Sequence, residues 1–140
     1  MADKPKAIKV YLIDPYKRTV TEHLYDASLE SIYQAIGNGC SCFQDIAIDF
    51  THHLFVDEEA NMKDLGIESD CCFKIQGKPH VFRGRGLIIG INRNGNDCDP
   101  TLSRQFVEGQ VIWPFVKLSG NGSPDQETYE FPEWKENSDA

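Results

Sequence analysis

The sequence predicts an α+β fold: a mostly antiparallel sheet with one main helix and a short second helix, followed by a disordered acidic C-terminal tail. Two observations predict this class. Short apolar segments with the length and pattern of strands recur between turn residues, whereas only two segments carry helix signals. The chain has 140 residues, which is the size of one domain, and its last part differs in composition from the rest.

A hairpin is predicted at the start of the domain. Segment 8–13 is apolar on both faces, as in a strand that has neighbours on both sides. Segment 14–17 contains turn residues and has proline at its second position. Segment 19–24 then alternates apolar and polar residues, as a half-buried partner strand does.

The main helix is predicted at residues 28–36. Ser28 is suited to cap its N-terminus, and Glu30 in the first turn interacts favourably with the helix dipole. Gly37 is suited to end it. The apolar residues between recur at helical spacing and are Leu29, Ile32, Tyr33 and Ile36. Such a helix packs its apolar side on one face of a sheet.

Four further strands are predicted in the middle of the chain. They are 45–50, 53–56, 71–75 and 86–91. A turn around Asn94 and Gly95 follows the last of them.

The second helix is predicted at Thr101 to Val107. Asp99 is a suitable cap, and Pro100 is favoured at the first helical position. Segment 111–113 is predicted as a last strand that ends at Pro114.

The predicted organisation is one domain, residues 1–118, and a flexible acidic tail, residues 119–140. The tail loses aliphatic residues, gains glycine, serine and proline, and contains six acidic residues and one lysine. Three aromatic residues in it are unusual for a linker and either dock on a neighbour or remain solvated. They are Tyr129, Phe131 and Trp134.

The composition predicts a soluble, cytoplasmic protein. No segment approaches the roughly 20 apolar residues of a membrane helix, and the first residues lack the apolar core of a signal peptide. The net charge of −8 disfavours binding to nucleic acid or to an anionic membrane. The five cysteines include pairs too close to bridge easily, which indicates a reducing compartment. Zinc is the alternative, but no C-x-x-C motif is present.

No common catalytic motif is present, so the sequence predicts a binding protein without a cofactor rather than an enzyme. The nucleophile elbow, the zinc-protease helix and the phosphate-binding loop are all missing from the sequence. His52 and His53 are adjacent on a predicted strand and therefore face opposite sides, so they cannot share a metal. The acidic segment 57–59 lacks EF-hand spacing, which favours a solvated turn. We predict no catalytic and no metal-binding residues.

Positive charge is concentrated in segment 71–96, which contains no Asp or Glu in a protein that is acidic as a whole. Within it, Arg83 and Arg85 alternate with glycines, and arginine offers a planar donor fork that suits phosphate. Phe82 is positioned to stack on a base. The predicted ligand-binding residues are Lys78, Phe82, Arg83, Arg85, Asn92 and Arg93. The alternative is that these cations pair with acidic residues of the domain and that the glycines serve turns.

Four segments resemble a family of small phage and prophage proteins of unknown function. They are VYLIDP at 10–15, TVTE at 19–22, LFVDEE at 54–59 and GRGLIIG at 84–90. The resemblance extends in outline over residues 8 to 115 and implies a setting in the cytoplasm of a host bacterium. Proteins of this kind include inhibitors of host defence, among them the Thoeris anti-defence and anti-CBASS proteins, which trap cyclic nucleotide signals.

These observations lead to two functional hypotheses. The first is a non-enzymatic sponge that sequesters a small anionic signalling nucleotide to block host defence. The alternative is an inhibitor of a host protein, in which the acidic turn and tail cover a basic surface. A hydrolase of the same nucleotides is a third reading, which would turn its ligand over.

A homo-oligomer is also predicted. The apolar segments 86–91 and 111–115 offer more strand surface than the helix at 28–36 covers, and a bare apolar face usually marks an interface.

Overall fold

The computed structural model describes residues 7–26, 28–117 and 128–132. The strands of this part of the chain are β1 (Ile8–Asp14), β2 (Thr19–Tyr25), β3 (Phe43–Ala47), β4 (His52–Asp57), β5 (Cys72–Ile75), β6 (Phe82–Arg83), β7 (Gly86–Ile91), β8 (Asp97–Cys98), β9 (Val111–Ile112), β10 (Phe115–Lys117) and β11 (Thr128–Glu130). The α-helices are α1 (Leu29–Ile36), α2 (Glu68–Cys71) and α3 (Arg104–Gln110), and a short 3-10 turn spans Ala60–Met62.

The main sheet has the strand order β2-β1-β7-β4-β3, and β8 pairs with β7 outside this path. Every pair in it is antiparallel. The predicted α+β class with a mostly antiparallel sheet is therefore confirmed. The first hairpin is also confirmed, with Ile13 opposite Val20 across β1 and β2.

The three inner strands of the main sheet bury side chains on both faces. In β1, Val10 packs toward one face and Tyr11 and Ile13 toward the other. In β7, Leu87 and Ile89 pack on the first of these faces. Successive side chains of a strand alternate between faces, so two separate cores form on the two sides of the sheet.

Helix α1 covers the first face. The Ser28 hydroxyl accepts a hydrogen bond from the backbone N–H of Ser31 at 3.1 Å, which caps the N-terminus as predicted. Gly37 ends the helix with a φ of 69°, a conformation that glycine adopts without steric cost. Ile32 and Ile36 are the buried residues of this helix, and they join the core on this side.

The second face is covered by a small sheet with the strand order β6-β5-β9 and by α3. Phe73 from β5 and Val107 from α3 are buried in the same cluster as Leu54 and Ile88 of the main sheet. The expectation of a bare sheet face was therefore wrong. Residues 72–83 and 102–112 pack over this face and bury the surface that was predicted to seek a partner.

Helix α3 begins three residues later than predicted. Ser103 caps it, because its hydroxyl accepts a hydrogen bond from the N–H of Phe106 at 3.1 Å. Asp99, the predicted cap, instead accepts a hydrogen bond from the backbone N–H of Lys9 at 2.8 Å. This contact ties the segment before α3 to the first strand of the sheet.

Strand β11 lies within the segment predicted to be a flexible tail. It pairs with β10, with Phe115 opposite Glu130. The remaining residues of that segment, 119–127 and 133–140, lie outside the described residues. Over the described ranges, no helix is long and apolar enough to cross a membrane.

Candidate functional site

Arg85 lies at the end of the main sheet beside the C-terminus of α1. Its Nε is 3.3 Å from a carboxylate oxygen of Asp14, a residue that is only 5% exposed. Its Nη1 donates to the carbonyl of Ile36 at 3.3 Å, and its guanidinium lies 4.8 Å from the ring centre of Tyr16. Arg85 is therefore engaged in holding the first hairpin to the main helix.

Arg83 is also engaged within the protein. Its Nη1 donates to the carbonyl of Ala60 at 2.6 Å, and its Nη2 lies 3.5 Å from the carbonyl of Lys63. The guanidinium thus anchors the loop after β4 to the small sheet. Neither arginine presents a free donor fork of the kind predicted for phosphate.

Phe82 cannot stack on a ligand base. It is 6% exposed and belongs to the core between the main sheet and the small sheet. Its ring centre lies 5.4 Å from that of Phe73. In the sequence, two arginines next to an aromatic residue are typical of a nucleotide site. In the fold, the hairpin of β5 and β6 turns the side chain of Phe82 toward the core.

Asn92 and Arg93 lie at the other end of β7 from Arg85. The Asn92 side chain accepts hydrogen bonds from the backbone N–H groups of Asn94 and Asn96, which builds the turn between β7 and β8. The six residues of β7 separate this turn from Arg85, a distance of roughly 20 Å at strand spacing. The six predicted binding residues therefore do not line one pocket.

Lys78 lies in a different place, on a surface cleft of about 380 Å³ beside the small sheet. The turn after β5 positions it, since the backbone N–H of Lys78 donates to the carbonyl of Ile75 at 3.0 Å. The cleft lies within the broad range of ligand-pocket volumes, about 300–1,000 Å³. Its lining is Lys74, Ile75, Gly77, Lys78, Pro79, Ile112, Phe131 and Pro132.

Lys78 is the one predicted binding residue in this lining, and two of the others, Lys74 and Phe131, have side chains suited to a ligand. Lys74 lies in β5 between the buried Phe73 and Ile75, so strand alternation turns it away from the core. Its Nζ is 5.5 Å from the ring centre of Phe131. Each residue had an unusual feature in the sequence: Lys74 belongs to the basic segment, and Phe131 is one of the aromatic residues of the predicted tail. Their contact depends on the pairing of β10 and β11, which no local sequence pattern indicates.

Among the residues that the structure describes, the cleft lining contains two lysines and no acidic residue. Neither Lys74 nor Lys78 forms an ion pair with any residue that the structure describes. By contrast, Lys9, Lys63, Arg85 and Arg104 each pair with a carboxylate. The alternative that the cations are neutralised by the domain's own acids is thus realised at Arg85 but not in the cleft.

The acidic turn after β4 serves the fold. Asp57 is 5% exposed and accepts a hydrogen bond from Lys63 Nζ at 2.7 Å. This hydrogen bond raises the pKa of Lys63. Burial raises the pKa of the Cys40 thiol, and the charge of Asp57 adds to the effect. Cys40 is therefore an uncharged, buried side chain beside this ion pair.

Within the described ranges, no group of three or more His, Cys, Asp or Glu residues is placed to hold a metal ion. His52 is buried and His53 is partly exposed, on opposite sides of β4. Their partners also differ, since His52 contacts Asp49 and His53 contacts Asp45.

The fold and the cleft define a small α+β protein with a basic surface cleft assembled from the small sheet and the C-terminal strand pair. Residues 8–110 match the family model described as a domain of unknown function, DUF3846, and the chain belongs to this family. No curated protein and no solved structure matches the chain.

Proposed function

We propose that this protein binds a small anionic nucleotide in the cleft between the β5–β6 turn and the C-terminal strand pair, without turning it over. One observation carries the proposal: in a protein with a net charge of −8, two lysines line a cleft whose described lining contains no acid, and neither forms an ion pair with a described residue. Such a local excess of positive charge attracts anions despite the overall charge, because a cleft concentrates the field of the groups that line it.

The lining suits the parts of a nucleotide. Lys74 and Lys78 supply charge for phosphate, for which lysine acts as a mobile point charge. Phe131 supplies an aromatic ring for a base, and stacking of this kind contributes about 1–3 kcal/mol. Gly77 has open space where a side chain would begin, so a ligand can approach the backbone.

The biological role in this proposal is sequestration of a signalling nucleotide in the cytoplasm of a phage-infected bacterium. It rests on the resemblance of segments such as 54–59 and 84–90 to small phage proteins, which is an argument by analogy. The alternative, an acidic inhibitor of a host protein, has less support. In this alternative the acidic turn contacts the host protein, but the Asp57 carboxylate is buried and paired with Lys63 and so does not face a partner.

Calorimetry against a panel of cyclic mononucleotides and dinucleotides tests the binding. We expect Lys74→Ala and Lys78→Ala each to weaken affinity about tenfold, which corresponds to roughly 1.4 kcal/mol for one charge-assisted contact. Lys17→Ala is the matched control, because Lys17 is an exposed lysine in the β1–β2 turn that does not line the cleft. No binding across the panel, or equal losses in all three variants, would show that the cleft is not the site.

Two further measurements separate recognition of the base from recognition of the phosphate, and binding from hydrolysis. Phe131→Ala should weaken nucleotide binding but leave binding of inorganic pyrophosphate unchanged, because pyrophosphate has no base. Ligand recovered by heating the complex should be intact; recovery of a hydrolysed product would assign the protein to the hydrolases instead.

A further inference from the structure

Strand β2 lies at an edge of the main sheet, since its one neighbour among the described strands is β1. The backbone N–H and C=O groups on the outer side of an edge strand have no partner in the sheet, so another extended chain can pair with them. Near the start of β2 this side is covered, because the carbonyl of Val20 accepts a hydrogen bond from Arg104 Nη1 of α3 at 3.4 Å.

The hydrogen bonds of β1 show which other residues of β2 face the open edge. Lys9 lies opposite Leu24, but its N–H donates to Asp99 at 2.8 Å, on the side of β1 away from β2. Lys9 and Leu24 are therefore a pair without mutual hydrogen bonds, and the N–H and C=O of Leu24 point to the open edge. The direction alternates along a strand, so Glu22 and Val20 face the same way. The described residues give the backbone of Glu22 and Leu24 no partner on this side.

Helix α1 forms a second wall beside the later half of β2. The groove between the strand and the helix has a volume of about 500 Å³, within the range of ligand pockets, about 300–1,000 Å³. Its lining includes, from the strand and from the helix, His23, Leu24, Tyr25, Glu30, Ser31 and Gln34. An open strand edge beside such a groove offers an extended peptide both main-chain partners and a surface for its side chains.

The groove is acidic. Asp26 and Glu30 line it, and its described lining contains no lysine or arginine. Neither carboxylate forms an ion pair with a residue that the structure describes. The N–H of Ser28 donates to an Asp26 oxygen at 2.9 Å, which fixes this carboxylate just after the end of β2. In a chain with a net charge of −8, this groove attracts a basic segment and disfavours a second copy of the chain.

Leu24 offers an apolar contact on the other face of the sheet. Tyr25 belongs to the core that α1 covers, so strand alternation places the Leu24 side chain on the opposite face, where it is 72% exposed. Glu22 on that face is paired with Lys9 at 3.7 Å. A strand added to β2 directs successive side chains to alternate faces. The segment that fits therefore alternates basic residues toward the groove with apolar residues toward Leu24.

We propose that β2 and α1 dock an extended segment of a partner protein, with alternating basic and apolar residues, as an additional strand on the open edge of β2. Glu22 and Leu24 supply the main-chain hydrogen bonds, and Asp26 and Glu30 select the basic side chains. This groove shares no described lining residue with the cleft of Lys74 and Lys78, so either proposal can fail without the other.

A peptide as long as β2, in which lysine and valine alternate, is the probe for this groove. We expect fluorescence anisotropy to show that it binds the full chain, and that the same peptide with glutamate in place of lysine does not. Asp26→Asn combined with Glu30→Gln should weaken binding about tenfold, because two ion pairs are lost. Glu58→Gln combined with Asp64→Asn is the matched control, since it removes the same charge from exposed residues outside the groove. Absence of binding by the lysine peptide, or equal losses in the two double variants, would overturn the proposal.

Pairing through the backbone is tested by methylating alternate backbone nitrogens of the peptide. Only one of the two alternate sets faces β2, so we expect one methylated peptide to lose binding and the other to keep it. Leu24→Pro removes the N–H that faces the open edge and no hydrogen bond to β1, so it should also abolish binding. Leu24→Ala keeps this N–H and should retain most of the affinity. Equal binding by the two methylated peptides would rule out strand addition, whether or not Leu24→Pro folds.

NMR of the isotopically labelled chain locates the bound peptide. We expect the amide signals of Glu22 and Leu24 to shift when the lysine peptide is added, together with signals from α1. Shifts confined to residues outside β2 and α1 would place the peptide elsewhere and contradict the proposal.

Discussion

The imidazole of His52 lies inside the protein, with 1% of the residue exposed, and both of its nitrogens have partners. The backbone N–H of Thr101 donates to Nε2 at 3.1 Å, so in the neutral ring the proton is on Nδ1. Nδ1 lies 3.0 Å from an Asp49 oxygen, to which it donates. One side chain thereby joins the β3–β4 turn to the segment before α3. The Thr101 hydroxyl at 3.3 Å completes a geometry like that of a catalytic triad, but Nε2 is already occupied by a backbone donor.

Replacing His52 should therefore cost stability. We expect His52→Leu to lower the free energy of unfolding by about 1–3 kcal/mol, because it leaves the Thr101 N–H and the Asp49 carboxylate without a buried partner. His53→Leu is the neighbouring control. Its side chain is 27% exposed and pairs with an exposed Asp45, so the loss should stay below about 1 kcal/mol. Urea unfolding of both variants measures the difference, and equal losses would contradict the structural role of His52.

Asp49 makes the same turn sensitive to acid. Partial burial acts to raise its pKa, but hydrogen bonds from Thr51 and His52 outweigh burial, and the pKa of Asp49 lies below its ordinary value. A carboxylate with a lowered pKa contributes stability above its unfolded pKa of about 4, and this contribution is lost as pH falls through the folded value. We expect the stability difference between wild type and Asp49→Asn to shrink below about pH 4. Urea unfolding at several pH values measures it; a constant difference would mean that Asp49 does not titrate as described.

At the scale of single residues, sequence reasoning identified the types of side chain more readily than their partners. Arg85 was recognised as unusual, but its partner Asp14 lies 71 residues away in the chain. A segment without acidic residues can still lie beside acidic residues from other segments once the chain is folded. Lys78 is partly exposed in the turn after β5, where it lines the cleft together with residues of other segments.

At the scale of elements, Gly86 shows how closely the layers approach. It lies in β7, opposite Ile13 on one side and Val56 on the other. A Cβ atom here would lie 2.9 Å from Leu54 Cδ1 and 3.0 Å from Phe73 Cζ. The small sheet can therefore pack on the main sheet at this point only because position 86 has no side chain.

We expect Gly86→Ala to destabilise the protein by about 1–3 kcal/mol through overpacking. Gly109→Ala in α3 is the control, since no atom lies within 4 Å of its added Cβ. That substitution should be neutral or should stabilise by up to about 1 kcal/mol, because alanine favours a helix over glycine. Thermal unfolding of both variants checks the prediction, and a neutral Gly86→Ala would show that β5 and β6 can shift without cost.

Elements with strong local signals were predicted well, and elements that depend on distant contacts were not. The β1–β2 hairpin and α1 carry turn, cap and periodicity signals within a few residues, and both are confirmed. The start of α3 was wrong because Asp99 bonds to Lys9, 90 residues away, and leaves the cap to Ser103. In the small sheet, β5 and β9 lie within the predicted strands 71–75 and 111–113, whereas β6, with two residues, is too short for periodicity to indicate.

At the scale of the whole molecule, the net charge of −8 repels an anionic ligand, whereas the two lysines of the cleft attract it locally. Nucleotide binding at Lys74 and Lys78 joins opposite charges locally, so attraction drives it. Salt screens both effects, with a Debye length of about 10 Å at 0.1 M and about 3 Å at 1 M.

We therefore expect added sodium chloride to weaken nucleotide binding. Calorimetry from low salt to about 1 M measures this trend. If nucleotide binding were indifferent to salt, Lys74 and Lys78 would not be its phosphate contacts.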